Sequence, residues 1–468
     1  MVVGSLDITT DLVVIGAGPG GYIAAIRAAQ EGKEVTVIDT DGELGGVCLH
    51  HGCIPTKTYI HSTNFGHVID ELEHCGVHVD DVAVDFEQIL GHKNDVVDDL
   101  SNGISHLFDK HGIELIKGYA EFSGENQIHI RGQSDVTAVT FNEAIVGTGS
   151  KPIELPFMSF DNDRVLSSRD LLQLEHVPDS MVIVGGGYIG TEMGTVFGKL
   201  GTDVTIVEQE NRLLPALPES VVDVVVSRLD QFNIDTHCNA TAEAYEENDE
   251  HGSLTVREDD EEHVLDAEYM LAVVGREPNT DSLGLDEAGV PTQNGFIPVN
   301  KYMQTPAEHI YAIGDITSQP MLAHKAVRQG KVAASQVTGG DEVYNNMVIP
   351  KVVFNDPEIA CVGLTADRAE ERGHEVQQGR FSFKASGRAH TLSKPTGFVQ
   401  IIADADTHRV LGVQSAGPQV SGMIGEATLA IELGATLEDI ERTIHTHPTI
   451  PEGLMAAAED ALGKAIHD

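Results

Sequence analysis

Cys48 and Cys53 stand five residues apart in the stretch Gly45-Gly-Val-Cys48-Leu-His-His-Gly-Cys53-Ile-Pro-Thr-Lys57. Two thiols at that spacing admit three readings: a redox disulfide, half of a metal site, or two unrelated buried thiols. No second cysteine pair completes a zinc site, although His50 and His51 put two imidazoles between the sulfurs. A redox pair fits better, because a helix N-terminus and the Lys57 ammonium would both stabilise a thiolate. A second chemical group lies near the C-terminus, where His445-Thr-His447-Pro-Thr-Ile-Pro-Glu452 sets two imidazoles beside a carboxylate. An acid-oriented histidine is a common general base, although any single one of the 22 histidines is more often a surface residue.

The elements that must position these groups are legible around two glycine turns. Asp11-Leu-Val-Val-Ile-Gly16-Ala-Gly18-Pro-Gly-Gly21 reads as an apolar strand, a tight turn and an Ala-rich helix. Met181-Val-Ile-Val-Gly185-Gly-Gly187-Tyr-Ile-Gly190 repeats the plan. Each is followed by a second apolar strand ending in an acid, Asp39 in the first case and Glu208 in the second. A lone glycine pattern is weak, since tight turns are common, but the strand–turn–helix context is what a dinucleotide site demands. Glycines allow close approach of the pyrophosphate, and the helix N-terminus faces it. A carboxylate such as Glu208 accepts from a free 2′-hydroxyl and repels a 2′-phosphate, so NAD is expected over NADP.

The remaining pattern fills in around these units. Residues near 60–110 read as helical and polar, and 113–150 as strands ending Ala144-Ile-Val-Gly-Thr-Gly-Ser150. A similar ending, Met270-Leu-Ala-Val-Val-Gly-Arg276, closes the second unit, and Ile310-Tyr-Ala-Ile-Gly-Asp315 reads as a buried strand and turn. From Pro350 the pattern changes to separate strands, at Lys351–Phe354, Gly397–Ala403 and Arg409–Ser415, and then to helices.

Together these residues resemble the pyridine nucleotide-disulfide oxidoreductases over nearly the whole chain, from Asp11 to about Leu462. The Cys48–Lys57 stretch is the most specific carrier of the likeness. The resemblance implies an α/β fold with two Rossmann-like dinucleotide-binding domains, for FAD and NAD, and a C-terminal α+β dimerisation domain. The implied boundaries are 1–150 for FAD, 151–276 for NAD, 277–349 for a central domain completing the FAD site, and 350–468 for the interface. It further implies that Cys53 contacts the flavin while Cys48 exchanges with substrate, with Gly46 and Val47 among the cofactor contacts. Lys57 would lie beside the flavin and pair with Glu192. Thr148, Gly149, Ser150 and the backbone of Ala120 would close over FAD, and Asp315 would bond its sugar chain. Met321, Leu322, Ala323 and His324 would line the isoalloxazine, and Gly275 would lie against NAD. His447 would be the base, Glu452 would orient it, and His445 is assigned a structural role.

Within the family, the likeness is strongest to members that oxidise a dihydrolipoyl dithiol and reduce NAD⁺. It implies a homodimer whose base reaches the partner's disulfide, serving a lipoylated carrier protein or a 2-oxoacid dehydrogenase complex. A glutathione-type member would carry basic residues where this chain has Glu208-Gln209-Glu210, and a mercury-reducing one a C-terminal cysteine pair. A non-catalytic FAD-holding subunit would have no need of Cys48, Cys53, His447 and Glu452 together. Two departures stay open. His50-His51 replaces the usual Asn-Val and either tunes the thiolate or decorates the surface, and Tyr188 either covers the flavin face or packs.

Composition bounds the partners. Lys and Arg total 29 against 74 Asp and Glu, a formal net charge of −45 over 468 residues. Such a chain is a poor ligand for nucleic acid or an anionic membrane surface. Ten of the acids fall between Glu243 and Glu262, but the rest are spread along the chain. The pattern reads as a carboxylate-coated surface working in molar KCl, the alternative being an acidic enzyme of ordinary salt. Five scattered cysteines do not suit a disulfide-stapled secreted protein. The N-terminus shows neither a basic region nor a cleavable apolar stretch, so a cytoplasmic location is expected.

Overall fold

The computed structural model describes residues 6–73, 75–79, 83–132, 134 and 136–467. The first five residues, on which the reading of the N-terminus partly rests, lie outside the described residues. The chain divides into two compact bodies. One comprises Met1–Thr58, Gln88–Ile153 and Gly275–Asn345; the other comprises Tyr59–Glu87, Glu154–Val274 and Asn346–Asp468.

The first body is built on a sheet in which Leu6–Ile15 runs parallel to Val35–Asp39 on one side and to Val136–Val146 on the other. Glu114–Lys117 extends one edge in parallel, Ile310–Ala312 pairs with Val136–Val146, and Gln127–Arg131 and Tyr119–Gly124 add antiparallel strands. Leu12, Val13 and Val14 are fully buried, as a strand covered on both faces requires. Helices Pro19–Gln30 and Ala323–Val337 pack together through glycine, since a Cβ on Gly330 would stand 2.4 Å from the Gly20 carbonyl oxygen.

The second body repeats the parallel plan in the strand order Ile234–Cys238, Asp203–Glu208, Ser180–Val184, Tyr269–Ala272, Val165–Leu166. An antiparallel meander follows, formed by Ala240–Glu247, Gly252–Glu258 and Glu261–Ala267. The acid-rich stretch is this meander. Leu254 and Val256 turn inward, while nine of its ten acids are exposed and Glu258 is half-buried. The stretch is therefore an ordered strand face with period-two alternation, not a tail.

The C-terminal part is a five-stranded antiparallel sheet, Lys351–Val353, Glu358–Gly363, Val410–Gly417, Phe398–Asp404 and Val376–Ser382 in spatial order. Helices Val420–Leu433 and Glu452–Ala461 share a core with it through Ile424, Ala427, Leu454 and Ala458. Three of the five strands match the sequence reading to within two residues. Glu358–Gly363 and Val376–Ser382 went unread; the latter, Val-Gln-Gln-Gly-Arg-Phe-Ser, has too little apolar alternation to announce itself.

Candidate active site

Both glycine turns are built alike, and their three glycines divide by role. Gly16 adopts a left-handed φ of 99°, and a Cβ there would lie 2.4 Å from the Gly147 carbonyl oxygen. A Cβ on Gly21 would lie 1.9 Å from the Gly16 carbonyl oxygen. Gly185 and Gly190 repeat this, at 2.5 Å from Val273 O and 2.0 Å from Gly185 O. The middle glycines, Gly18 and Gly187, would meet nothing within 4 Å. The outer pair thus close the turn and seat the helix on its strand. The middle one leaves an open face at a helix N-terminus, where a pyrophosphate can approach the backbone N–H groups. These residues fit the two dinucleotides expected of them.

Asp39 and Glu208 are each held by backbone N–H groups of their own turn. Asp39 Oδ2 accepts from the Ala17 N–H (2.9 Å), and Oδ1 from those of Asp41 and Gly42 (both 3.0 Å). Glu208 accepts from the N–H groups of Gly186 and Glu210, both at 2.8 Å. Each carboxylate pins its own glycine turn and keeps lone pairs for a ribose hydroxyl.

The redox segment is laid against the first turn. Gly45 N–H donates to the Ala17 carbonyl (2.9 Å), and a Cβ on Gly46 would lie 2.7 Å from Gly18 Cα. Only glycine permits that contact, and it sets the short helix Gly46–His50, carrying Val47 and Cys48, beside the fingerprint. Cys53 opens the long helix Cys53–Glu73, with Lys57 one turn further on. The two Sγ atoms lie 2.7 Å apart; Cys53 is exposed and Cys48 half-buried. The hydrogen bond to Cys53 and burial push the Cys48 thiol well above its ordinary value, and Lys57 pulls the other way. Cys53 stands at the N-terminus of the long helix, and Cys48 donates its S–H to Cys53 Sγ. His50 Nε2 donates to the Leu44 carbonyl (2.9 Å), tying the end of the Cys48 helix back to its start. Glu43 Oε2 lies 3.8 Å from His50 Nδ1 and 3.7 Å from His51 Nε2. Among the described residues, no group of three or more His, Cys, Asp or Glu is placed to hold a metal ion.

Elsewhere in the first body, residues distant in sequence meet one another. Ser150 Oγ donates to Asp315 Oδ2 (2.7 Å), and Arg276 donates to Ser150 Oγ (2.8 Å) and to its carbonyl (2.5 Å). Thr148 Oγ1 donates to the Asn279 carbonyl (2.6 Å), and Asn279 N–H to that of Gly149 (2.9 Å). Gln329, buried, accepts from Gly314 N–H (2.7 Å) and so fixes the turn that carries Asp315. Arg276 and Gln329 are positioning residues that no local motif revealed. Met321 and Leu322 lead into the helix whose first turn holds Ala323 and His324, beside the N-terminus of Pro19–Gln30. Ala120 is buried opposite Ile130, and Gly275, at φ 143°, accepts from Ile153 N–H (3.1 Å).

In the second body, Glu192 is 2% exposed and accepts from Phe354 N–H (2.8 Å), and Tyr188 is exposed at the start of its helix. His447 is 80% exposed and its Nδ1 lies 2.8 Å from Glu452 Oε1. Glu452 Oε2 accepts from Thr449 N–H (2.6 Å) at the first position of its helix, where the dipole also favours a negative charge. Burial acts to raise the Glu452 carboxyl, but the Thr449 N–H and His447 outweigh it and hold it below its ordinary value. Glu452 thus orients the ring of a solvent-exposed His447 through Nδ1. Large apolar side chains are exposed in this C-terminal part, Ile444 at 98% and Leu433 at 74%.

Residues 10–330 match the family described as pyridine nucleotide-disulphide oxidoreductase, and residues 349–458 match its dimerisation domain. The chain belongs to the pyridine nucleotide-disulphide oxidoreductases. Among similar members of that family, a dihydrolipoyl dehydrogenase of Haloferax volcanii is 44% identical, over 100% of this chain and 99% of that protein. A dihydrolipoyl dehydrogenase of Bacillus subtilis is 43% identical, also over 100% and 99%. Among solved structures, LpdA from Mycobacterium tuberculosis superposes with a TM-score of 0.89 at 27% identity, covering 96% of this chain and 99% of that one. As a pyridine nucleotide-disulphide oxidoreductase, the chain has the α/β architecture with a C-terminal dimerisation domain that its sequence implied. No helix among the described residues is long and apolar enough to cross a membrane.

Proposed function

We propose that this pyridine nucleotide-disulphide oxidoreductase is an NAD-dependent dihydrolipoyl dehydrogenase. It oxidises a dihydrolipoyl dithiol to its cyclic disulfide and reduces NAD⁺ to NADH, using FAD and the Cys48–Cys53 pair. The observation that carries the reading is the pair of sulfurs 2.7 Å apart, with Cys48 on a short helix pressed against the first glycine turn. The full-length likeness to dihydrolipoyl dehydrogenases, haloarchaeal ones included, supports the substrate. Glu208, held at the second turn, supports a free 2′-hydroxyl and hence NAD.

The residues divide the work. His447 Nε2 takes a proton from the incoming dithiol, and Glu452 holds the ring so that Nδ1–H points away from the substrate. The substrate thiolate attacks Cys48 Sγ of the oxidised pair; the Cys48–Cys53 bond breaks and Cys53 leaves as a thiolate. The second substrate thiol, deprotonated in turn, attacks the mixed disulfide, closing the lipoyl ring and leaving Cys48 and Cys53 reduced. Bound FAD supplies the two-electron relay from this dithiol to NAD⁺. Gly16, Gly18 and Gly21 with Asp39 would hold it, with Gly46, Val47, Lys57, Ala120, Thr148–Ser150, Asp315 and Met321–His324 completing its site.

The exposed Ile444, Leu433 and Leu429 and the dimerisation domain support a homodimer in which His447 serves the partner's sulfurs. A lipoylated carrier or a 2-oxoacid dehydrogenase complex is the partner that this chemistry requires. Five cysteines scattered along the chain, too few for a disulfide-stapled secreted protein, support a cytoplasmic site of action. The test is Cys48→Ser. The variant is expected to stay yellow with bound FAD while losing dihydrolipoamide turnover by at least ~10³-fold, since no other thiolate replaces it. Full turnover by this variant contradicts the assignment.

A further inference from the structure

The helix Ala323–Val337 grips the turn that carries Asp315 at two points. Gln329 takes the near end, accepting from Gly314 N–H (2.7 Å) and donating to Thr317 Oγ1 (3.2 Å). Lys325 takes the far end: its Nζ donates to the Ser318 carbonyl and lies 3.4 Å from Ser318 Oγ. That bond reaches back seven residues. It closes a loop around Met321, Leu322, Ala323 and His324, the stretch assigned to the isoalloxazine.

The surroundings of Lys325 oppose a positive charge. The residue is 3% exposed, so its ammonium has lost most of its water. It stands in the first turn of its helix, where unpaired N–H groups already carry partial positive charge. Among the described residues it forms no ion pair, and its two contacts go to Ser318. Burial pushes the ammonium down to about 8, with the Asp315 carboxylate pulling the other way. A desolvated cation at the positive end of a helix calls for an anion nearby.

We propose that Lys325 is a positioning residue for FAD. Its ammonium holds the loop 318–325 closed on the Asp315 turn and, with the helix N-terminus, sets positive charge beside the site of the anionic dinucleotide. Lys325 acts through Asp315 and Met321–His324, so the inference rests on the assignment of those residues to the FAD site. Asp315 is the charged group that acts on Lys325. His324 and Arg328 on its own helix, and Tyr22 and Arg27 on the neighbouring helix Pro19–Gln30, have no comparable effect on it. An anion favours the ammonium form, which is complete below about 8 and is lost as the pH rises through that value.

The experiment is the Kd of FAD from the diluted holoenzyme, with free FAD separated by ultrafiltration, on both sides of about pH 8. Wild type, Lys325→Met and Lys325→Arg are compared. On the acid side the Met variant is expected to hold FAD ~10- to 100-fold more weakly, the worth of a hydrogen bond to a charged group. On the alkaline side that gap is expected to narrow, because the wild-type lysine loses its charge. The Arg variant keeps its charge throughout and is expected to give a flat profile. A Met variant as tight as the wild type overturns the proposal. So does a gap of constant size at every pH, which is what a merely structural lysine gives. Where the Met variant fails to fold, the Arg profile decides: an alkaline loss of FAD with the wild-type midpoint assigns the titration to another group and overturns the proposal. A wild type that holds no FAD at any pH contradicts the cofactor assignment itself, and the proposal falls with it; a failure confined to the variants leaves that assignment standing.

Discussion

At His447 the chemistry depends on which nitrogen is already engaged. Glu452 occupies Nδ1, so in the proposed reaction Nε2 is the lone pair that would meet a substrate proton. Because the Glu452 carboxyl lies below its ordinary value, it is ionised throughout the neutral range and its titration does not shape activity there. Replacing Glu452 by Gln removes the carboxylate that orients the ring. Steady-state assays are expected to show kcat/KM reduced by ~10²-fold with FAD retained, in keeping with the worth of a positioned base. An unimpaired Gln variant contradicts the dyad. Much of this was legible beforehand, because the residues of the dyad lie within one short segment. Glu426, which engages His445, was not, since its position on another helix leaves no mark in the motif.

At the scale of the element, the two glycine turns make a sharper claim than glycine content does. Gly187 has φ −72° and open space where a Cβ would stand, whereas a Cβ on Gly190 would strike the Gly185 carbonyl at 2.0 Å. Gly187→Ala is therefore expected to keep the wild-type thermal midpoint while raising KM for NAD⁺ by ~10-fold, about the worth of one lost close contact. Gly190→Ala is expected to lose ~1–3 kcal/mol of stability through overpacking. Equal thermal midpoints for the two variants contradict this division of roles. Strand–turn–helix units are readable because each is written in consecutive residues. The Ser150–Asp315 and Arg276–Ser150 bonds join segments far apart in the chain, and only the folded sheet brings them together. Val376–Ser382 is a strand because Phe398–Asp404 pairs with it, not because its own residues demand it.

Over the whole molecule the governing quantity is charge. With a net charge of −45 and nine exposed acids between Glu243 and Glu262 alone, self-repulsion opposes the compact state unless salt screens it. At ~1 M salt the Debye length is ~3 Å, short enough to uncouple neighbouring carboxylates. The unfolding midpoint is expected to rise steadily from dilute to molar KCl, as befits a relative of haloarchaeal enzymes. A midpoint that does not move contradicts the salt-adapted reading. Among the described residues, nine histidines lie within 4.0 Å of a carboxylate. Thr407 and His374 lower the Asp404 carboxyl to about 2 from 3.8, so its contribution is complete above 3.8 and is lost as the pH falls to about 2. The overall charge was plain from the composition. Its arrangement, with acids on strand faces and imidazoles beside them, required the fold.

The most direct test of the central claim is NADH formation from dihydrolipoamide and NAD⁺ by the FAD-loaded protein in molar KCl, run beside NADPH oxidation with oxidised glutathione. Rapid turnover in the first assay and none in the second is expected from the Cys48–Cys53 pair, the His447–Glu452 base and Glu208. A yellow protein silent toward dihydrolipoamide contradicts the dithiol assignment.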